Sequence, residues 1–143
     1  MVVRKLVTTA IEETWPEKGS ILFLGEWCKW EQRRSVWNNM DTQTLAWHWD
    51  DKEIFIKNTH NINIFYEKIL EILSDILNTQ HSVSYSKKYW RILLNPWLFR
   101  IVFALFDRWS CIINAYKYYN ITETNCLEVN GACMIPQHSL DFK

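Results

Sequence analysis

The chain has 143 residues, 48% of them hydrophobic, and a formal net charge of zero. That apolar content at a single-domain length supplies a core and excludes a disordered chain. The balanced charge excludes a dedicated nucleic-acid binder, which carries a basic excess or stripe, so no nucleic-acid partner is expected.

The first segment, MVVRKLVTTA, has early basic residues but no long apolar stretch and no small-residue cleavage site, so it does not read as a signal peptide. Within it, Arg4–Ala10 is short, β-branched and apolar, which predicts a strand. A turn follows around Pro16 and Gly19. Ile21–Leu24, closed by Gly25, is a second apolar run and predicts a second strand. Continuous apolar runs bounded by turn residues suit strands buried on both faces, as in a parallel sheet. In the next stretch Trp30, Arg33, Arg34 and Trp37 would share neighbouring turns of a helix. Thr44–Trp49 is a candidate third strand.

Asp50 opens a new element, because Asp50 and Glu53 have capping-box spacing. Ile62, Phe65, Ile69, Ile72, Leu73 and Ile76 then repeat at helical intervals. The spacing predicts a helix from about Lys52 to Leu77, with a possible break in the Asn-rich stretch 58–63. Ser86 caps a further helical segment. Asn95-Pro96 reads as an N-cap followed by proline at the first helical position, and so as the start of another helix. That helix is apolar nearly all round, apart from a narrow stripe of Arg100, Asp107 and Asn114. A helix of this kind is buried on several sides, so part of its surface is expected to pack on something outside this chain. After the polar residues beyond Asn120, 127–129 reads as a short strand.

The most apolar stretch, Ile92–Phe106, is interrupted by Asn95, Pro96 and Arg100 and is shorter than the roughly 18–20 residues of a membrane span. No transmembrane segment is expected, and a cytoplasmic location is. Cys28, Cys111, Cys126 and Cys133 fit that placement as reduced thiols. Cys126, Cys133 and His138 match no strong zinc spacing, so no metal site is predicted.

In open α/β sheets ligands bind beyond the carboxyl ends of the strands. After the first strand these positions hold Thr9, Glu12 and Glu13; after the second, Gly25, Glu26, Trp27 and Cys28. Gly25 permits a tight turn or a close backbone approach. Glu26 is placed to accept hydrogen bonds from sugar hydroxyls or to act as a base, with simple capping of the next turn as the bland alternative. The run Trp47-His48-Trp49-Asp50-Asp51 concentrates functional side chains. His48 with Asp50 is a candidate acid–base pair, against a reading of Asp50 as a cap and His48 as a satisfied strand residue. Adjacent aspartates alone supply too few oxygens for a hard cation. Arg91 is either a phosphate clamp or the partner of a carboxylate, Asp107 or a glutamate. Nine tryptophans serve mainly as core filling, with stacking on a sugar as the sharper role. The sequence holds no G-x-G-x-x-G, P-loop, H-E-x-x-H or G-x-S-x-G, and so no recognised nucleotide cradle and no bound cofactor is expected in this chain.

In this order, LVTTAIEETWP, ILFLGEWC, AWHWDD, YWRILLNPW and LFDRW resemble the N-terminal region of a family of transferases from bacterial O-antigen and other surface-carbohydrate clusters. The resemblance runs from about Lys5 to Tyr116 and returns weakly near Met134–Pro136 and at Asp141-Phe142. It implies an α/β, Rossmann-like domain of GT-B type with short parallel strands and long helices, incomplete by itself. Residues 1–143 would be the N-terminal, acceptor-side domain of a larger glycosyltransferase-like enzyme. A C-terminal domain outside this chain would hold a nucleotide-sugar donor. The implied partner is a carbohydrate or lipid-linked sugar acceptor, reached at the inner face of the membrane. Glu26, His48 and Asp50 are the catalytic candidates; Thr9, Glu12, Glu13, Gly25, Trp27 and Arg91 are the substrate-binding ones. The rival expectation is a non-catalytic α/β module that binds carbohydrate or a partner.

Overall fold

A computed structural model describes residues 2–128. The chain forms two compact units, residues 1–45 with 119–143, and Ala46–Tyr118. Val129, Cys133, His138 and the last weak stretches of the resemblance lie outside the described residues.

The first unit is built on a parallel sheet of β1 (Val3–Val7), β2 (Ile21–Phe23), β3 (Thr42–Thr44) and β4 (Asn120–Thr124). The strand order is β3-β2-β1-β4, and each neighbouring pair is parallel. This is the order of a Rossmann-like half, so the fold is α/β with short parallel strands, as the sequence predicts. All three residues of β2 are buried, because a strand paired on both sides in a parallel sheet has no water-facing side. Leu6, Val7, Trp15, Leu24 and Leu45 extend this core. β3 ends earlier than expected, and His48–Asp50 forms a 3₁₀ turn instead of strand. β4 carries no strand signal in the sequence. As an edge strand with mostly exposed residues, Asn-Ile-Thr-Glu-Thr needs no apolar alternation, so its pattern is silent. Lys5 on β1 forms an ion pair with Glu123 on β4. Leu127 and Glu128 lie in no strand. The Trp30–Trp37 segment is a 3₁₀ turn, Glu31–Arg33, running into a single-turn helix, α1 (Arg34–Trp37). The Trp37 indole donates to the Trp30 carbonyl at 3.1 Å.

The second unit is a pair of long helices, α2 (Lys52–His81) and α3 (Lys87–Tyr118). The N-cap of α2 is Asp51, not Asp50. Asp51 has the extended backbone of a cap and accepts from the Glu53 and Ile54 amides at 2.9 and 3.1 Å. Asp50 is used up in the preceding 3₁₀ turn. α2 runs without a break through 58–63. It stops at Ser82, which adopts the left-handed conformation of a helix terminus. Asn78 then closes the hairpin, exchanging two hydrogen bonds with the Tyr85 backbone and accepting from the Trp90 indole at 2.9 Å.

The expected new start at Asn95-Pro96 does not occur, and α3 passes straight through Pro96. An interior proline costs a helix about 3 kcal/mol. Trp90, Leu98 and Val102, on either side of it, bury against Ile62, Tyr66 and Leu70 of α2, which outweighs that cost. Asn95 does not cap; its side chain accepts from the Tyr66 hydroxyl at 2.9 Å. Both helices keep large apolar side chains exposed, among them Ile56, Ile72, Trp97, Leu105 and Trp109. Among the described residues, no helix is long and apolar enough to cross a membrane.

Candidate functional site

In the first unit the chain reverses direction across the sheet between β1 and β4, the place where open α/β sheets form a ligand crevice. Thr9, two residues past β1, organises the loop that follows. Its hydroxyl lies 3.1 Å from that of Thr14, and its carbonyl accepts from the Trp15 indole at 3.2 Å. Thr14 in turn donates to the Ile11 carbonyl at 2.6 Å. These bonds fix a short 3₁₀ turn, Glu12–Thr14, that carries both glutamates. Glu12 accepts from Arg33 at 2.6 Å and so ties this loop to the segment after β2. Glu13 stays exposed and lines a depression of about 470 Å³ with Lys5, Trp15, Glu17, Glu123 and Asn125. Carboxylates and an amide make walls that accept from and donate to hydroxyls, while the Trp15 N–H is already given to the Thr9 carbonyl.

The loop after β2 holds the second set of candidates. Gly25 is extended, and no positive φ demands glycine there. The demand is spatial: a Cβ at Gly25 would lie 2.1 Å from the six-membered ring of Trp27. Trp27 is thereby folded back over the backbone. Glu26 projects into solvent and pairs with Lys29 at 3.1 Å. Gly25→Ala is expected to cost about 1–3 kcal/mol by overpacking. The check is a urea-unfolding cycle with Trp27→Ala: the cost should shrink sharply in the Trp27→Ala background, and additive costs would locate the strain elsewhere.

In the second unit the sequence candidates separate. Asp50 and Asp51 are exposed, whereas His48 is 6% exposed. The carboxylate beside His48 is Asp107 of α3, with Oδ1 3.7 Å from His48 Nε2. On the other side of the ring, His48 Nδ1 lies 3.7 Å from Cys111 Sγ. The Trp49 indole donates to Asp107 Oδ1 at 2.6 Å, and Arg108 donates to Oδ2 at 3.1 Å. Burial pushes the His48 imidazole below its ordinary range, with the Asp107 carboxylate pulling the other way. The ring is therefore neutral at pH 7. A depression of about 280 Å³, lined by His48, Ile54, Asn58, Trp109, Ser110 and Asn114, opens beside it. Asp107, Cys111 and Trp49 were not singled out from sequence as one site. The available signal was an Asp and a Cys four residues apart, hence on one face, inside a helix otherwise almost wholly apolar.

Arg91 takes the second of its two sequence readings. Its guanidinium donates to both oxygens of Glu67, at 2.6 and 2.8 Å, and Lys87 joins Glu67 at 3.2 Å. The Arg91 hydrogen bond holds the Glu67 carboxyl below its usual value near 4.5. A carboxyl lowered on folding contributes stability that is complete above its unfolded pKa and is lost as pH falls through the folded one. Acidification below about pH 4.5 should therefore weaken the α2–α3 pairing, and Glu67→Gln should flatten that part of the pH–stability curve. Identical acid limbs in wild type and variant would remove this pair from the acid response.

No curated protein and no solved structure matches the chain. A family model described as LIC12162 family transferase matches residues 4–143. The match begins inside β1 and takes in both the sheet of the first unit and the helices of the second. The chain that builds this sheet edge and this histidine cluster belongs to the LIC12162 family of transferases.

Proposed function

We propose that the chain serves a glycosyltransferase-like enzyme of bacterial surface-polysaccharide (O-antigen) assembly, with the first unit on the acceptor side. The depression beside β1 and β4 carries this reading. Glu13, Glu17, Glu123 and Asn125 offer hydroxyl acceptors and an amide donor there, beside the edge of Trp15. Such a wall suits a sugar better than an apolar ligand. In this reading Glu26, exposed past the end of β2, removes the proton of the attacking hydroxyl. The nucleotide-sugar donor is held by a further, C-terminal domain, and the acceptor is a carbohydrate or lipid-linked sugar at the cytoplasmic membrane face. Membership of a transferase family supports the reaction class.

The test has two arms. Deleting the gene from its own organism should change the surface glycan, and an unchanged glycan profile would remove the pathway assignment. The purified native protein should release nucleoside diphosphate from one member of a nucleotide-sugar panel in the presence of acceptor. Glu26→Gln should slow this release about 100-fold, the usual contribution of a positioned base. Undiminished turnover in that variant would move the base to another residue. Glycan binding without turnover by wild type would favour the rival reading, a carbohydrate-binding module.

A further inference from the structure

We propose that His48, Asp107 and Cys111 form a binding site for one borderline-soft divalent cation, of which zinc is the type. The three side chains offer a nitrogen, a carboxylate oxygen and a sulfur, and their ligand atoms lie within 4.8 Å of one another. Nitrogen, oxygen and thiolate sulfur are the zinc donor set, and three protein ligands plus water is the pattern of an open site. Zinc–ligand bonds of about 2.0–2.3 Å set neighbouring donors roughly 3.3–3.8 Å apart in tetrahedral geometry. His48 gives the ion one nitrogen, Nε2, which lies 3.7 Å from Asp107 Oδ1. The 3.7 Å contact of Cys111 is to the other nitrogen, Nδ1, so the thiol is the donor that must move. The widest spacing in the set, within 4.8 Å, closes by about 1 Å when an ion is taken up.

Two features distinguish this cluster from an ordinary buried hydrogen-bond network. His48 Nε2 is buried without a hydrogen-bond partner, in a residue 94% withdrawn from solvent, and it faces the Asp107 carboxylate. A lone pair or N–H buried in that state is costly, and a cation between nitrogen and carboxylate removes the cost. The Asp107 carboxylate is itself gripped on both oxygens, by the Trp49 indole and by Arg108. Ligating carboxylates are characteristically oriented by such outer contacts. The backbone also holds the donors in place. Asp107 and Cys111 stand one turn apart on α3, and His48 comes from the 3₁₀ turn that leads into α2. The depression lined by His48, Asn58, Ser110 and Asn114 adjoins the histidine, and a water drawn in from it with the ion would supply the fourth ligand. Uptake of the ion deprotonates Cys111 and releases that proton to solvent.

The probe is Co²⁺ alone, titrated into the reduced native protein. One equivalent should give tetrahedral visible bands together with a thiolate-to-cobalt charge-transfer band. The band should persist in Cys126→Ser/Cys133→Ser and disappear in Cys111→Ser. Zn²⁺ should displace the cobalt one for one. Trp49→Phe removes the indole contact to Asp107 while keeping an aromatic ring, and should weaken Co²⁺ binding about 10–100-fold. That variant decides the matter if Cys111→Ser does not fold: unchanged affinity overturns the proposal. Absence of the charge-transfer band from folded wild type, or its survival in Cys111→Ser, also overturns it.

Discussion

Phe23→Ala should lower folding stability by about 4 kcal/mol, in the range for aromatic truncation in a packed core. Phe23 is fully buried in β2, the strand paired on both sides. Its ring meets Trp15 edge-on at 5.6 Å, and Lys29 lies over it at 5.9 Å. Trp15 is also the residue whose indole holds the Thr9 carbonyl, so loss of the ring loosens the loop that carries Glu12 and Glu13. The backbone around Phe23 cannot collapse into the void, because its carbonyl accepts from Leu45 and its register to Val7 and Thr44 is fixed. Phe23→Leu keeps most of the volume and should cost less than about 1.5 kcal/mol. Urea-unfolding midpoints of the two variants give the comparison. A Phe23→Ala cost below that of Phe23→Leu would mean that the site is not packed as described.

Asp107→Ala should cost about 3 kcal/mol in metal-free buffer, from the loss of a charge-assisted hydrogen bond and the stranding of its donor. The residue is 8% exposed and receives the Trp49 indole at 2.6 Å. Trp49 stacks on Phe103 at 5.3 Å and packs against the α2–α3 core, so its N–H has no easy route to water once Asp107 is gone. Asp107→Asn keeps an acceptor for the indole and gives up only the charge, so it should recover most of the loss. Equal destabilisation by Ala and Asn would assign the effect to the negative charge and not to the Trp49 contact.

The sequence was informative where one local rule governs the outcome. β2 and the Leu6-Val7 end of β1 are apolar because the parallel sheet leaves them no wet face. The helical spacing of α2 is plain, although Phe65, Ile69, Ile72 and Ile76 of that repeat stay exposed while Ile62, Tyr66 and Leu70 meet α3. It failed where two rules compete. At Pro96 the local signal says that a helix begins, but the burial of Trp90 and Leu98 on either side keeps one helix continuous. At Asp50-Asp51 both residues can cap, and the 3₁₀ turn decides for the second. β4 is polar because an exposed edge asks nothing of its side chains. The carboxyl-edge residues Thr9, Glu13, Gly25 and Glu26 were legible, since strand ends can be read from composition. The His48–Asp107–Cys111 cluster was not, since its first member stands far in sequence from the other two and only the helix pairing brings them together.

The pairing of Val3 with Asn120 has a consequence during synthesis. The whole second unit lies between these partners in sequence. At about 5–20 residues per second, the free edge of β1 waits on the order of ten seconds on the ribosome before β4 exists. An open strand edge is a template for wrong partners during that interval. Arg4 and Lys5 sit in the middle of β1, and their charges discourage a second nascent chain from adding there. The later ion pair from Lys5 to Glu123 then turns the guard residue into a contact for the correct strand.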